Sequence, residues 1–367
     1  MYVYLIAAIL TGIFLYFSEF FYNKTENKRS RNYYLYIVFF ILSIVPYFFI
    51  SAFRYGVGTD YFYTYFPHFY QIMAGGNGYS EFLFTWLNRI ILIFTDDAQW
   101  IFIITSLIFV TFMMLSIKKL TKHWYIAGVL LLISNVYLIS LNNVRQYLGI
   151  SIGIYALSFA CDRKYIKLLI FGTLSILFHY SMACLVPIYI FAIVSQHTKV
   201  RKYALYVILV ILALSPTYIP LAKLILKNTK YIGYFSFTGV ARPLYFYLLQ
   251  SAITLVICLI FYKRIITYND YSFSLVICLT LATIVGILSI FNPIVETMSR
   301  ACNCYYWSII FIVPMLLDIF ERKWIGIVIV IAISILMANS TYYLIVVLGH
   351  HEVLPYRFFF WKDYFIN

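Results

Sequence analysis

One short stretch of the chain concentrates residue types that could do chemistry. It covers positions 53–65 and reads F-R-Y-G-V-G-T-D-Y-F-Y-T-Y. Its charged residues and glycines are Arg54, Gly56, Gly58 and Asp60, and three tyrosines follow Asp60: Tyr61, Tyr63 and Tyr65. Glycine tolerates positive φ and lets other groups approach the backbone closely. The pattern predicts a tight loop that holds a cation and a carboxylate next to a sugar-stacking surface; an interfacial loop with an aromatic belt is the alternative.

A second arginine opens a later apolar segment, in the sequence N-N-V-R-Q. Asn142 or Asn143 could cap a helix there, which places Arg145 in the first turn, where backbone N–H groups favour an anion. Because the helix dipole slightly disfavours arginine at that end, an external bound anion would explain Arg145. Gln146 beside it is a candidate substrate contact. An arginine reaching toward lipid headgroups is the alternative.

A third arginine, Arg300, lies four residues after Glu296, so an i,i+4 ion pair is one explanation for both residues. If Arg54, Arg145 and Arg300 converged on one cavity, they would suit a diphosphate, which guanidinium groups grip with two parallel N–H bonds. The three arginines are therefore candidate diphosphate ligands.

A histidine and a basic loop complete the candidates. His179 stands in F-H-Y-S, at the turn of a short apolar hairpin. A histidine at membrane depth should line a polar cavity or pair with a partner, and it can act as a base near neutral pH; a satisfied core histidine is the alternative. The outer loop at 222–243 contains Lys223, Lys227, Lys230 and Arg242 and is a candidate contact to an anionic lipid or glycan. A solvated amphipathic loop is the alternative.

The elements that must position these residues are membrane helices. The chain is 64% hydrophobic and 11% charged, whereas soluble domains average about 25% charged residues. Apolar runs of about 20 residues, the length needed to cross a bilayer, occur almost from end to end. The first residues lack a basic region and a cleavage site, so they predict a retained helix. We therefore expect an all-α integral membrane protein with one polytopic domain over 1–367.

Twelve spans are predicted, with boundaries good to a few residues. They lie at roughly 2–22, 33–53, 99–117, 124–141, 147–161, 165–180, 181–196, 203–221, 244–261, 272–291, 304–319 and 324–347. The apolar segment near 81–94 is short and contains Asn88 and Arg89, so it is placed as an interfacial helix in an outer loop at 54–98.

Basic residues fall on alternate connections of this topology. Six loops hold 17 of the 27 lysines and arginines: Lys24, Lys28, Arg29, Arg31, Lys118, Lys119, Lys122, Arg163, Lys164, Lys167, Lys199, Arg201, Lys202, Lys263, Arg264, Arg322 and Lys323. Basic loops face the cytoplasm, so both termini and all the candidate residues lie outside it. This distribution also explains the net charge of +14 without a nucleic acid partner.

Several site classes are absent from the sequence. There is no Walker loop, Rossmann fingerprint, H-E-x-x-H or C-x-x-C pair, and no D-x-D sequence that would bind a nucleotide sugar through a metal. No polar stretch is long enough for a soluble catalytic domain. We therefore expect no cofactor and no metal, and a reaction at the membrane face on a lipid-borne substrate.

The motifs and their order resemble the EpsG family of Wzy-like polysaccharide polymerases. The resemblance rests on F-R-Y-G-V-G-T-D-Y-x-x-Y, then N-x-x-R-Q, then F-H-x-S, then the late S-R-A-C-N-C-Y-Y-W, and it covers about residues 30–320. It implies a GT-C-like membrane glycosyltransferase of the bacterial inner membrane, which joins repeat units carried on undecaprenyl diphosphate at the outer face. Flippase and chain-length regulator proteins are the partners that such a pathway implies.

The resemblance also implies roles for the candidate residues. Arg145 and Arg300 would stabilise the departing diphosphate, and Arg54 would order the glycine loop, residues 53–60, or add a third contact. Asp60 or His179 would accept the proton of the acceptor hydroxyl, and Asp60 is favoured because it is the carboxylate within the first motif. The remaining candidates, Gly58, Tyr61, Tyr65, Gln146 and Arg242, would contact the substrate. A flippase or another membrane transferase, such as a ligase or acyltransferase, remains an alternative. The product, whether O-antigen, capsule or exopolysaccharide, is left open.

Overall fold

A computed structural model describes residues 1–197, 201–228, 230–235, 242–291 and 295–361. Within these ranges the chain is helical and carries one isolated antiparallel bridge, between Arg54 and Phe358. It divides into two compact units. The first unit comprises residues 1–159, 164–183 and the described residues from 337 onward; the second comprises 160–163 and 184–336.

The helices of the first unit come mainly from the first half of the chain. They are α1 (Tyr2–Asn23), α2 (Arg31–Ala52), α3 (Phe66–Met73), α4 (Phe82–Phe94), α5 (Gln99–Leu120), α6 (Trp124–Ile133), α7 (Val136–Asn142), α8 (Val144–Cys161) and α9 (Tyr165–Phe178). Ser30 caps α2, because its hydroxyl accepts a hydrogen bond from the backbone N–H of Tyr33 at 3.2 Å. Small polar residues tie α1 to α2: the Thr11 hydroxyl donates to the carbonyl of Ser43 at 3.2 Å.

The second unit is built from apolar helices of similar kind. Its α-helices are Val186–Val194, Ala204–Ala213, Tyr218–Leu226, Arg242–Ile260, Tyr262–Tyr268, Ser272–Phe291, Val295–Tyr306, Ile309–Ile319 and most of Lys323–Tyr342. Ser272–Phe291 is buried along most of its length, as expected for a helix whose residues are apolar on all sides.

The prediction of a polytopic helical membrane protein is confirmed. Among the described residues, seven helices are long and apolar enough to cross a membrane, or up to nine if each of two bent helix pairs is one span. Three further apolar helices are shorter: Phe82–Phe94, Tyr165–Phe178 and Tyr180–Val194. The count of twelve spans and the GT-C assignment therefore stay predictions. A helix does occupy the segment predicted near 81–94, and its place at the membrane surface also stays a prediction.

A break between α6 and α7 directs the chain toward the glycine loop. The helix axis bends by 53° at the break. Asn135, between the two helices, has a φ of 68°, a left-handed conformation that asparagine tolerates better than most residues. The short α7 then ends with Leu141 and Asn142, whose backbone lies against Gly58. The break thus places the end of α7 in contact with the glycine loop.

The far end of the chain pairs with the same loop. The backbone N–H groups of Gly58 and Thr59 donate to the carbonyls of Glu352 and His351 at 3.2 and 3.1 Å. The Tyr55 N–H donates to the carbonyl of Arg357 at 2.9 Å. We call residues 350–361 the tail segment. It belongs to the first unit and completes the hydrogen bonding of a loop that would otherwise expose its backbone groups.

Candidate functional site

Arg54 is buried inside the loop that it opens. Its Nε donates to the carbonyl of Val57 at 3.3 Å, its Nη2 to the carbonyl of Leu141 at 3.0 Å, and its Nη1 to the carbonyl of Ser51. The face of the guanidinium lies 4.5 Å from the centroid of the Phe102 ring. The Arg54 side chain thus donates hydrogen bonds to three backbone carbonyls, which favours its predicted loop-ordering role over a contact with diphosphate.

Two of the predicted sugar-stacking tyrosines point into the core. The Tyr61 ring stacks on Phe102 with centroids 4.3 Å apart, and its hydroxyl donates to Gln99 Oε1 at 2.6 Å. The Tyr65 hydroxyl donates to the carbonyl of Asn142 at 3.2 Å. Both side chains are buried because a five-residue π-helical turn, Tyr61–Tyr65, brings positions 61 and 65 to the same side. Direct sugar contact by either ring stays a prediction, one that this placement does not favour.

Gly58 and Asp60 sit where the loop meets α7. Gly58 has a φ of +95°, and a Cβ atom there would stand 2.8 Å from the carbonyl oxygen of Leu141. The Asp60 backbone N–H donates to Asn142 Oδ1 at 2.8 Å, and its carboxylate accepts a bond from the Thr64 hydroxyl at 3.0 Å. Asp60 is only half-buried. The close approach explains the glycine, and the carboxylate remains a candidate proton acceptor.

Arg145 forms an ion pair that spans 64 positions of sequence. Its Nη1 lies 2.7 Å from Glu81 Oε2, and its guanidinium lies 4.6 Å from the centroid of the Tyr79 ring. The Arg145 side chain is 25% exposed, whereas that of Glu81 is 9% exposed. Glu81 thus holds one edge of the Arg145 guanidinium and Tyr79 holds one face. The rest of the group is partly exposed and could contact an anion.

His179 lies on the other side of the same carboxylate. It follows the last residue of α9, and its Nε2 is 3.8 Å from Glu81 Oε1. Its Nδ1 is 2.7 Å from the Ser181 hydroxyl. The structure therefore brings two predicted residues, Arg145 and His179, together through Glu81. Gln146, next to Arg145, is buried.

The groups around Glu81 favour the ionised form of its carboxyl group. Burial by itself raises the pKa of its carboxyl group, but the charge of Arg145, the imidazole of His179 in its protonated form and the hydroxyl of Ser80, 3.0 Å from Oε2, outweigh burial. The pKa of Glu81 consequently lies below its ordinary value. A cation, an imidazole and a carboxylate in one partly open cluster can bind an anion, stabilise developing negative charge and accept a proton.

Glu81 and Tyr79 complete this cluster, and neither is predicted from the sequence. The Tyr79 ring stacks on His68 with centroids 4.6 Å apart and also supports Arg145. One signal could have identified Glu81: it is a lone carboxylate before an apolar helix, and an ionisable residue near the membrane normally has a partner of opposite charge.

Arg300 and Arg242 belong to the second unit. Arg300 is exposed on the helix Val295–Tyr306. Its predicted partner Glu296 has a side chain outside the described part of the chain, and so does Arg242, which begins the helix Arg242–Ile260. The predicted roles of both arginines stay predictions. Where the chain is described, no three His, Cys, Asp or Glu side chains are grouped to hold a metal ion.

Comparisons with known proteins connect this site to a family. The model of the EpsG family matches residues 37–358, a range that contains the glycine loop, Glu81, Arg145 and His179. A search of curated proteins and a search of solved structures each found no match. The matched range and the apolar helices together indicate a membrane polysaccharide polymerase. The chain belongs to the EpsG family, whose members are Wzy-like polysaccharide polymerases.

Proposed function

We propose that this chain polymerises oligosaccharide repeat units carried on undecaprenyl diphosphate, at the outer face of the bacterial inner membrane. The observation that carries the proposal is the partly exposed Arg145, which is fixed by Glu81 and Tyr79 next to His179. A fixed, accessible guanidinium suits a diphosphate leaving group, and the adjacent imidazole suits proton transfer.

In the proposed reaction the growing chain is the donor and a fresh lipid-linked unit is the acceptor. A hydroxyl oxygen of the acceptor sugar forms a bond to the anomeric carbon of the donor, and the bond between that carbon and the phosphate oxygen breaks. Undecaprenyl diphosphate leaves with the bonding electron pair, and Arg145 stabilises its developing charge. The hydroxyl proton passes to His179 or Asp60. No nucleotide sugar, cofactor or metal takes part.

The orientation is inferred from charge. Because the six basic loops face the cytoplasm, both termini lie outside it, and the cluster meets units after they have been flipped across the membrane. A flippase and a chain-length regulator are the protein partners that this route requires. A reporter active only in the cytoplasm, fused after Asn367, should be silent, and an active reporter would contradict the orientation.

The reaction itself can be tested without knowing the sugars. Lipid-linked single repeat units are extracted from cells that lack this polymerase and are incubated with the purified chain in detergent. We expect a ladder of longer glycans and one undecaprenyl diphosphate released for each bond formed. Movement of units across a bilayer without any lengthening would instead identify a flippase, and attachment of an acyl group would identify an acyltransferase.

Arg145→Lys is the sharpest variant for this assay, because it keeps the positive charge beside Glu81 and loses the planar two-pronged contact. A charged hydrogen bond contributes about 1.5–3 kcal/mol, so we expect about 10- to 150-fold slower polymerisation. Arg264→Lys is the matched control, since Arg264 pairs with Glu321 at an exposed site. Equal rates for the two variants would exclude the proposed role of Arg145.

A further inference from the structure

We propose that Glu81 is a positioning residue for this reaction: its carboxylate aligns Arg145 toward the leaving group and makes His179 the proton acceptor. The inference rests on the proposed function and extends it to a residue with no role so far. In the described part of the chain, Glu81 is the carboxylate within ion-pair distance of both Arg145 and His179.

The two carboxylate oxygens of Glu81 serve different partners. Oε2 accepts hydrogen bonds from Arg145 Nη1 at 2.7 Å and from the Ser80 hydroxyl at 3.0 Å, whereas Oε1 faces His179 Nε2 at 3.8 Å. Because the Glu81 carboxylate is nearly buried and the Arg145 side chain is 25% exposed, Glu81 contacts the buried side of the guanidinium and leaves the other side exposed. Arginine has five N–H donors, so Arg145 can keep its bond to Glu81 and still present donors to a phosphate.

The backbone holds this carboxylate in place. Glu81 is the residue immediately before α4, and its carbonyl accepts a bond from the Thr85 N–H at 3.1 Å. The preceding residue is fixed as well, because the Tyr180 hydroxyl donates to the carbonyl of Ser80 at 2.9 Å. Tyr180 directly follows His179, so the same contact ties the histidine turn to the glutamate turn. An arrangement held this firmly needs little reorganisation during the reaction.

The charge of Glu81 has a predictable effect on acid–base behaviour. A carboxylate beside an imidazole favours the protonated ring, so it strengthens the imidazole as a base while it raises the pH at which the ring becomes neutral. The other charged or titratable groups here are Arg145 from α8, Tyr79 from the segment before α4, and Asp60, which interacts with Tyr79. Arrival of a diphosphate at Arg145 adds negative charge on the same side and favours proton uptake further.

The test measures polymerisation rate against pH with lipid-linked single repeat units extracted from polymerase-deficient cells. Glu81→Gln keeps the size of the side chain and removes its charge. We expect about tenfold or greater loss of rate at neutral pH, and an acidic limb of the pH–rate profile that moves to lower pH by about one unit. Glu81→Asp withdraws the carboxylate by one methylene, so it should move the acidic limb in the same direction by less.

The control and the contrary outcomes are distinct. Glu321→Gln removes a carboxylate from an exposed arginine pair and should leave rate and profile unchanged. A slower Glu81→Gln enzyme with an unmoved acidic limb would indicate a merely structural residue and would overturn the inference. If Glu81→Gln does not fold, an unmoved limb in Glu81→Asp decides the same point. An unmodified chain that cannot lengthen the units would refute the proposed function itself.

Discussion

Replacing Gly58 with alanine tests the close contact between the glycine loop and α7. Gly58 has a φ of +95°, and its added Cβ would meet the carbonyl oxygen of Leu141 at 2.8 Å and the carbonyl carbon at 3.3 Å. Leu141 cannot easily withdraw, because the same oxygen accepts the bond from Arg54 Nη2. The substitution therefore forces either the loop or the end of α7 to move.

Gly75 provides a matched control for the backbone strain alone. Its φ is +86°, and no atom lies within 4 Å of a Cβ built there. A left-handed backbone costs alanine about 1–2 kcal/mol, which is the whole effect expected for Gly75→Ala. Gly58→Ala adds an overpacking cost of about 1–3 kcal/mol, so its total loss of stability should reach about 2–5 kcal/mol.

The assay is unfolding of the purified protein in mixed micelles by titration with sodium dodecyl sulfate. The midpoint should be highest for the unmodified protein, lower for Gly75→Ala and lowest for Gly58→Ala. Polymerisation should fall with Gly58→Ala and persist with Gly75→Ala, since only the former displaces the loop. Equal midpoints for the two variants would refute the claim that Gly58 is required for close packing against Leu141.

Three further predictions concern the same unit. Arg54→Lys keeps the charge but cannot bond all three carbonyls; each buried carbonyl left unpaired costs about 1–3 kcal/mol, so the yield of folded protein should fall, whereas Arg264→Lys should leave it unchanged. Burial lowers the pKa of His350 to about 4, and burial with the neighbouring His350 lowers the pKa of His351 to about 3. The tail segment should therefore stay packed above pH 6.5, the ordinary pKa of histidine, and should dissociate as the pH falls toward 4 and then 3. Limited proteolysis of the segment should become faster over the same range. The double substitution His350→Gln with His351→Asn should make the proteolysis rate less dependent on pH. Excess chelator should leave the polymerisation rate unchanged, because in the proposed reaction arginine neutralises the diphosphate. Complete loss of activity that Mg²⁺ restores would instead make Asp60 a metal ligand.

The sequence predicts the class of the protein and its family but not the burial of individual side chains. Long apolar runs and the order of the motifs are local properties, and both interpretations are confirmed by the apolar helices and the match over 37–358. Arg54 and Arg145 look alike in sequence, as arginines beside apolar segments. One is enclosed by carbonyl groups and the other is partly open, a difference that depends on contacts from α7 and Glu81.

The rest of the candidate site depends on long-range pairing that no local pattern encodes. Glu81 pairs with Arg145 although four helices, α4 to α7, lie between them in the sequence, so the role of Glu81 becomes visible only when its partner is known. The sequence predicts that Tyr61 and Tyr65 stack on sugars, but both lie on one side of a π-helical turn and are buried. The alternation of basic loops gives an orientation, which stays a prediction.

The pairing of the tail segment with the glycine loop has a consequence for biosynthesis. Residues 53–60 are synthesised early, yet the backbone N–H groups of Gly58 and Thr59 donate to the carbonyls of Glu352 and His351, near the other end of the described chain. At roughly 5–20 residues per second, the ribosome needs about a quarter of a minute to a minute to make the intervening chain. During that interval the loop lacks these hydrogen-bond acceptors, and a nascent or prematurely terminated chain lacks the tail segment that supplies them. The hydrogen bonding of the glycine loop is therefore completed late in translation, after nearly all the apolar helices have been synthesised.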